Sequence, residues 1–167
     1  MESMQEMEAR WKKEREELTA FLKELGVNYP ECGYHVGEGW KPHVEVALRK
    51  VAKIAKEAGL EWNLSQVKQK FCQLRIYYHV ETPGVTRENH DSLTNPWIWE
   101  ESHPLHHVYQ EIEAAVSEAE YACDQTCEQC PNPAKPGAAS GSKLCEACNA
   151  AWKKAYQEKY GEDPDAL

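Results

Sequence analysis

Four cysteines near the C-terminal end constrain this chain more than any other feature. Cys127 and Cys130 form one C-x-x-C pair, C-E-Q-C, and Cys145 and Cys148 form a second, C-E-A-C, after fourteen intervening residues. Two such pairs can bring four thiolates to one tetrahedral Zn²⁺, each pair wrapping one side of the ion. Two disulfides or four free thiols are the alternatives. The total of seven cysteines is odd, which a complete disulfide framework does not accommodate. The charged opening MESMQEMEARWKKE predicts no secretory signal, hence a reducing compartment that favours metal over disulfide. The expectation is one structural zinc per chain, with no open position for the water a catalytic zinc keeps. The second pair runs into a helix-like stretch, Ala150–Lys159, so Cys148 is expected at a helix N-terminus, where backbone N–H groups favour thiolate charge. A knuckle followed by a pair that opens a helix is the layout of a treble-clef or zinc-ribbon-like module.

The rest of the chain is long enough for one core. Of 167 residues, 41% are hydrophobic, which is not a disordered composition. No apolar run approaches the roughly 20 residues needed to cross a bilayer, so no membrane role is expected. The fold class expected is α+β, helices packed on a β-hairpin with the four-cysteine module at the C-terminal end. The organisation predicted is an amphipathic helix over 1–26, an α+β core over 27–122 with a long acidic loop at 81–102, the metal module over 123–160, and a tail at 161–167.

Hydrophobic spacing supplies the elements. Met4, Met7, Trp11, Leu18, Phe21 and Leu25 fall on a/d positions, with Glu14 as the polar interruption. That stripe suits either a coiled-coil homodimer through residues 4–25 or packing on the chain's own core. Gly26 is placed to end this helix. From Lys41 to Ala58, with Pro42 in the first turn, Val44, Ala47, Leu48, Val51, Ile54, Ala55 and Ala58 form one face, and Gly59 closes it. The period then becomes two, predicting a hairpin of Leu60–Phe71 and Leu74–Val80; a short helix at Ser65–Cys72 is the competing assignment. After the loop, Leu105, Val108, Ile112, Ala115, Val116 and Ala119 predict a helix over Leu105–Ala122.

Three of these runs together carry a resemblance. E-C-G-Y-H-V-G-E-G-W at 31–40, Q-V-K-Q-K-F-C-Q-L-R-I-Y at 66–77 and the paired C-x-x-C resemble a group of small zinc-knuckle proteins of tailed bacteriophages and prophages. In that group a glycine–tryptophan step precedes a helix, a K-x-K-F-G-x-L-R-x-Y hairpin follows, and a zinc-knuckle-like end closes the chain. Lys68, Lys70, Phe71, Leu74, Arg75 and Tyr77 match the hairpin pattern; Cys72 stands where a turn glycine is usual. The resemblance spans about residues 31–148. It implies a phage origin and the cytoplasm of a bacterial host, and it carries no established activity.

Function therefore rests on the chemistry of individual side chains. Paired C-x-x-C knuckles occur in HNH-type nucleases, but the Pro131–Leu144 loop holds neither histidine nor carboxylate to build such a centre. Cys123 lies close enough to Cys127 to exchange as a ligand, but the set of four is already complete. His103, His106 and His107 cluster near a helix start, with Pro104 placing His103 outside the helix as a cap. Nothing marks Cys32 or Cys72 as an activated thiol. Charge is uneven within a net of −9. Residues 41–80 carry eight basic and three acidic side chains. Lys41, Arg49, Lys50, Lys53 and Lys56 lie on the helix and Lys68, Lys70 and Arg75 on the hairpin, a strip that could bind nucleic acid with Tyr77, Tyr78 and His79. Residues 81–122 reverse the balance, with nine acidic residues and one basic. There Trp97, Trp99, Glu100 and Glu101 have the composition of a protein-binding hot spot that mimics a phosphate backbone. No nucleophile–base pair stands out. The leading expectation is a non-enzymatic accessory protein that binds a host protein and inhibits antiphage defence; nucleic-acid binding through the basic strip is the alternative.

Overall fold

A computed structural model describes residues 4–27, 33–81, 101, 103–134 and 141–164. Its elements are α1 (Met4–Glu24), β1 (Tyr34–His35), α2 (Lys41–Glu57), β2 (Trp62–Lys70), β3 (Gln73–Val80), α3 (His106–Asp124) and α4 (Glu146–Tyr160). Helices and a three-stranded sheet make this an α+β protein, the sheet running in the order β1-β2-β3.

The helix ends follow local chemistry. Gly59, in the left-handed region at φ +69°, lets the Leu60 N–H reach the Ala55 carbonyl at 2.8 Å, and Leu60 itself turns into the core. Gly26 ends α1 in the same way, with Val27 bonded to the Leu22 carbonyl and buried. The α2 face of Val44, Ala47, Leu48, Val51 and Ala55 and the α3 face of Val108, Ile112, Ala115, Val116 and Ala119 bury against each other and the sheet. Their spacing in sequence is the reason.

In α1 the heptad stripe divides. Leu18, Phe21 and Leu25, with fully buried Leu22 beside them, pack on the chain's own core, whereas Met4 and Trp11 are 70% and 53% exposed. The Arg49 guanidinium covers the Phe21 ring at 4.9 Å and bonds Glu24 at 2.7 Å, docking the end of α1 on α2.

The sheet differs from expectation in three respects. The first is β1, whose two residues pair in parallel with Val67 and Lys68. Two residues are too short to show a period. The second is the hairpin turn, which falls on Phe71 and Cys72, one residue earlier than the alternation suggests, and no helix forms over 65–72. Both turn residues have positive φ, 52° and 60°, as a two-residue primed turn demands. Without glycine, each such residue costs about 1–2 kcal/mol. The third is a bulge. Leu64 faces Tyr78 and Gln66 faces Tyr77, so Ser65 is the extra residue. It explains the three-residue step from Leu64 to Val67, both of which face the core.

The four-cysteine module docks on the turn that leads into α2. A side chain at Gly39 would bring its Cβ within 3.0 Å of the Cys127 and Cys130 carbonyl oxygens, and one at Gly37 would meet the Glu128 backbone as closely. The Gly39 N–H donates to the Glu128 carbonyl at 2.9 Å. Trp40, 0% exposed, caps α2 and sends its indole N–H to the Thr126 carbonyl at 2.8 Å. The G-E-G-W run is therefore the receptor for the knuckle.

Gly39→Ala should destabilise the protein by about 3 kcal/mol or more, because rigid backbone must move. Gly59→Ala, where the added Cβ meets nothing within 4 Å, should cost only about 1 kcal/mol through its positive φ. Urea unfolding of both variants checks this; equal losses would remove the docking role of Gly39.

Candidate metal centre

Cys127 and Cys130 sit on a tight turn that begins where α3 ends. The Thr126 hydroxyl donates back to the Ala122 carbonyl, and the Cys127 N–H bonds the Asn132 carbonyl at 2.8 Å, curling the backbone round the first pair. The second pair opens α4. Cys145 is the helix cap, its Sγ accepting the Cys148 N–H at 3.5 Å. The sequence pattern puts the helix start at Cys148; the helix begins earlier because Cys145 serves as acceptor, and Cys148 lies in the first turn.

The four Sγ atoms lie within 4.8 Å of one another, with Cys130 at 3.6 Å from both Cys145 and Cys148. A tetrahedron of sulfurs at about 2.3 Å from an ion has edges of about 3.8 Å. These separations fit four ligands of one metal and are far longer than a disulfide of about 2.05 Å. Left to themselves, sulfurs this close cannot all ionise. The Cys148 N–H holds the Cys145 thiol down to about 7, while Cys148, beside Cys145 and Cys130, is pushed up to about 12. A divalent cation removes that conflict. The four cysteines are thus positioned for one structural metal ion.

Neighbouring groups fix the module. Lys143, 2% exposed, donates to Asp124 at 2.6 Å and so ties the second limb of the knuckle to the end of α3. Its carbonyl accepts the Glu128 N–H at 2.7 Å. Burial pushes the Glu128 carboxyl above the usual carboxylate range despite bonds from the Gly37 N–H and the Ser142 hydroxyl. The Gln69 side chain reaches the Gly141 carbonyl at 2.6 Å, joining knuckle to hairpin. Cys123 is not a ligand: fully buried, it belongs to the main core, and burial pushes its thiol up to about 12.

The other candidates separate. Cys32, Trp97, Trp99 and Glu100 lie outside the described residues; Glu101 is exposed. His103 precedes α3 and accepts the Leu105 N–H on Nδ1 at 3.1 Å, but Leu105, not His103 as expected, is the cap residue, and no side chain caps the helix. The basic strip is not one surface. On α2, Arg49 is taken by Glu24, Lys50 by Glu118 and Lys53 by Glu57, Lys41 pairs with Glu38, and Lys56 is exposed in the last turn. Lys68, Lys70 and Arg75 instead share the sheet face turned away from the buried core. Lys68 stands directly opposite Arg75, Lys70 opposite Gln73, and Gln66 opposite Tyr77, with His35 in line beside Lys68. Lys68 lies 5.3 Å from the Tyr77 ring. Sequence reading misses a further feature. Trp152, Tyr156 and Tyr160 recur every four residues on α4 with ring centroids 5.4 and 4.7 Å apart, a spacing that is legible in the chain.

Comparison with family models, with curated proteins and with solved structures gives no match to this chain. Among the described residues, no helix is long and apolar enough to cross a membrane.

Metal analysis should find one ion per chain. Serine at any of the four ligand positions should weaken metal binding by at least about tenfold, whereas Cys72→Ser and Cys123→Ser should keep the stoichiometry. Thiolate-to-metal charge-transfer absorption on Co²⁺ substitution reads this directly. A folded, metal-free protein would contradict the assignment.

Proposed function

We propose that this protein is a non-enzymatic, zinc-stabilised binding module whose open sheet face takes single-stranded nucleic acid. The observation that carries the reading is the make-up of that face. Asn63, Gln66, Lys68 and Lys70 on β2, and Gln73, Arg75, Tyr77 and His79 on β3, include three cations and no carboxylate, in a chain of net charge −9. Placing Lys68 directly opposite Arg75 is unfavourable for the sheet itself, and an anion between them relieves the repulsion. Tyr77, 43% exposed, offers a ring to a base. Among the described residues no helix covers this side, since α3 meets β3 through the buried face. A nine-residue strand of about 30 Å accommodates roughly four nucleotides.

Zinc is the ion this reading assigns to the site, because four thiolates in a closed tetrahedral set suit it best. The knuckle followed by a capped helix is read as treble-clef-like. The resemblance to phage proteins supports a bacterial cytoplasm as the setting, where the module would act on its host. The alternative is a host protein held by the 81–102 loop, whose residues, Glu81 and Glu101 apart, lie outside the described ones.

Binding to a labelled oligothymidylate, followed by anisotropy, tests the proposal. Affinity should fall with salt at a log–log slope of about −2, for three cations on a single strand. Lys68→Glu and Arg75→Glu should each weaken binding about tenfold or more, whereas Lys53→Glu, on the ion-paired α2, should stay within about twofold. Salt-insensitive binding, or equal loss in all three variants, would sink the sheet-face reading; no binding at all would leave a protein partner as the better account.

A further inference from the structure

The hairpin tip is unusual for what it costs and what it exposes. Phe71 is 82% exposed, more than any other large hydrophobic side chain among the described residues. It holds φ +52° and Cys72 holds φ +60°, in a turn that asparagine and glycine would make without strain. A bulky residue with positive φ is an outlier, and such strain persists where something other than stability retains it. Phe71 adds nothing to the core, so packing does not explain it. A cation stands beside it: Lys70 Nζ lies 5.4 Å from the ring centroid.

We infer that Phe71 is a stacking wedge, its ring set against the bases of a single strand whose phosphates Lys68, Lys70 and Arg75 hold. The inference rests on the nucleic-acid reading of the sheet face and specifies how that face ends. The primed turn carries the ring beyond the last strand pair, Lys70 and Gln73, and the cations behind it lie along one side of the hairpin. Tyr77 and Phe71 each stand beside a cation of that face, Lys68 Nζ at 5.3 Å from the Tyr77 ring and Lys70 Nζ at 5.4 Å from the Phe71 ring. Alternating rings and cations are what a sequence-tolerant single-strand site requires, because every base has a face to stack and every nucleotide a phosphate to pair. The strained turn keeps the ring out of the core and available.

The decisive variant relaxes the tip while removing the ring: Phe71→Asn together with Cys72→Gly. If the tip were only a turn, this exchange would improve the protein and leave binding untouched. The inference predicts that the unfolding midpoint rises or holds, that affinity for oligothymidylate falls about tenfold or more, and that the salt slope is unchanged. Phe71→Trp should retain affinity. A 2-aminopurine base within the strand should change fluorescence on binding to the wild type and much less with the double variant. Wild-type affinity in the double variant, with binding still lost in Lys68→Glu, overturns the wedge and leaves the sheet-face reading standing. Absence of binding by the wild-type chain overturns both.

Discussion

The fold depends on a backbone-to-backbone contact that only glycine permits. At Gly37 and Gly39 the turn that leads into α2 meets the carbonyls of the knuckle so closely that a Cβ would strike them. Once there, the Gly39 N–H and the Trp40 indole satisfy two carbonyls, those of Glu128 and Thr126. Leaving either unmet inside the protein would cost about 1–3 kcal/mol. The knuckle cannot hold its own shape by packing. Its cluster of buried side chains is Cys127, Leu144 and Cys145, and α4 buries none of its residues completely. A cation binding four thiolates supplies what so small a core lacks. A metal held by the four thiolates would shape the knuckle, the knuckle meets the glycines, and Trp40 carries the contact into the main core.

Much of this is legible in the chain, for identifiable reasons. The α2 and α3 faces follow the 3.6-residue period, and both α1 and α2 end on glycines whose positive φ lets the next residue turn inward. The paired C-x-x-C spacing points directly to the metal cluster. Where reading fails, the missing information is non-local. The two residues of β1 acquire meaning only from β2. The break in alternation between Leu64 and Val67 resolves once Ser65 is seen as a bulge. Lys143, in a segment of loose composition, is buried because Asp124 waits for it across the module. The glycine–tryptophan step is visible as a pattern, but its purpose needs the knuckle in place.

Charge shows the same division between local and distant. By count, residues 41–80 form one basic strip. In space, the helical half of that strip is spent on holding the chain together: Arg49 binds α1 and Lys50 binds α3 through Glu118. Exposed pairs such as these contribute little each, but they mask the charge. The sheet cations are placed differently. Lys68 and Arg75 face each other across the strands; burial raises the pKa of the Glu120 carboxyl on α3, and the charge of Arg75 offsets only part of that rise. An acidic protein can therefore carry a local positive face. That face, with the strained Phe71 at its tip, is where the structure departs from what stability alone would choose.

The central claim is that metal in the knuckle holds the Gly37–Trp40 turn, and through it the core. Hydrogen exchange at the Gly39 N–H and the Trp40 indole N–H, before and after chelation, measures this most directly. On this account both protons are protected with metal bound, and both lose protection together with the knuckle amides of Cys127 and Glu128 when the metal is removed. If they stay protected after the metal has gone, the turn stands without the knuckle and the account is wrong.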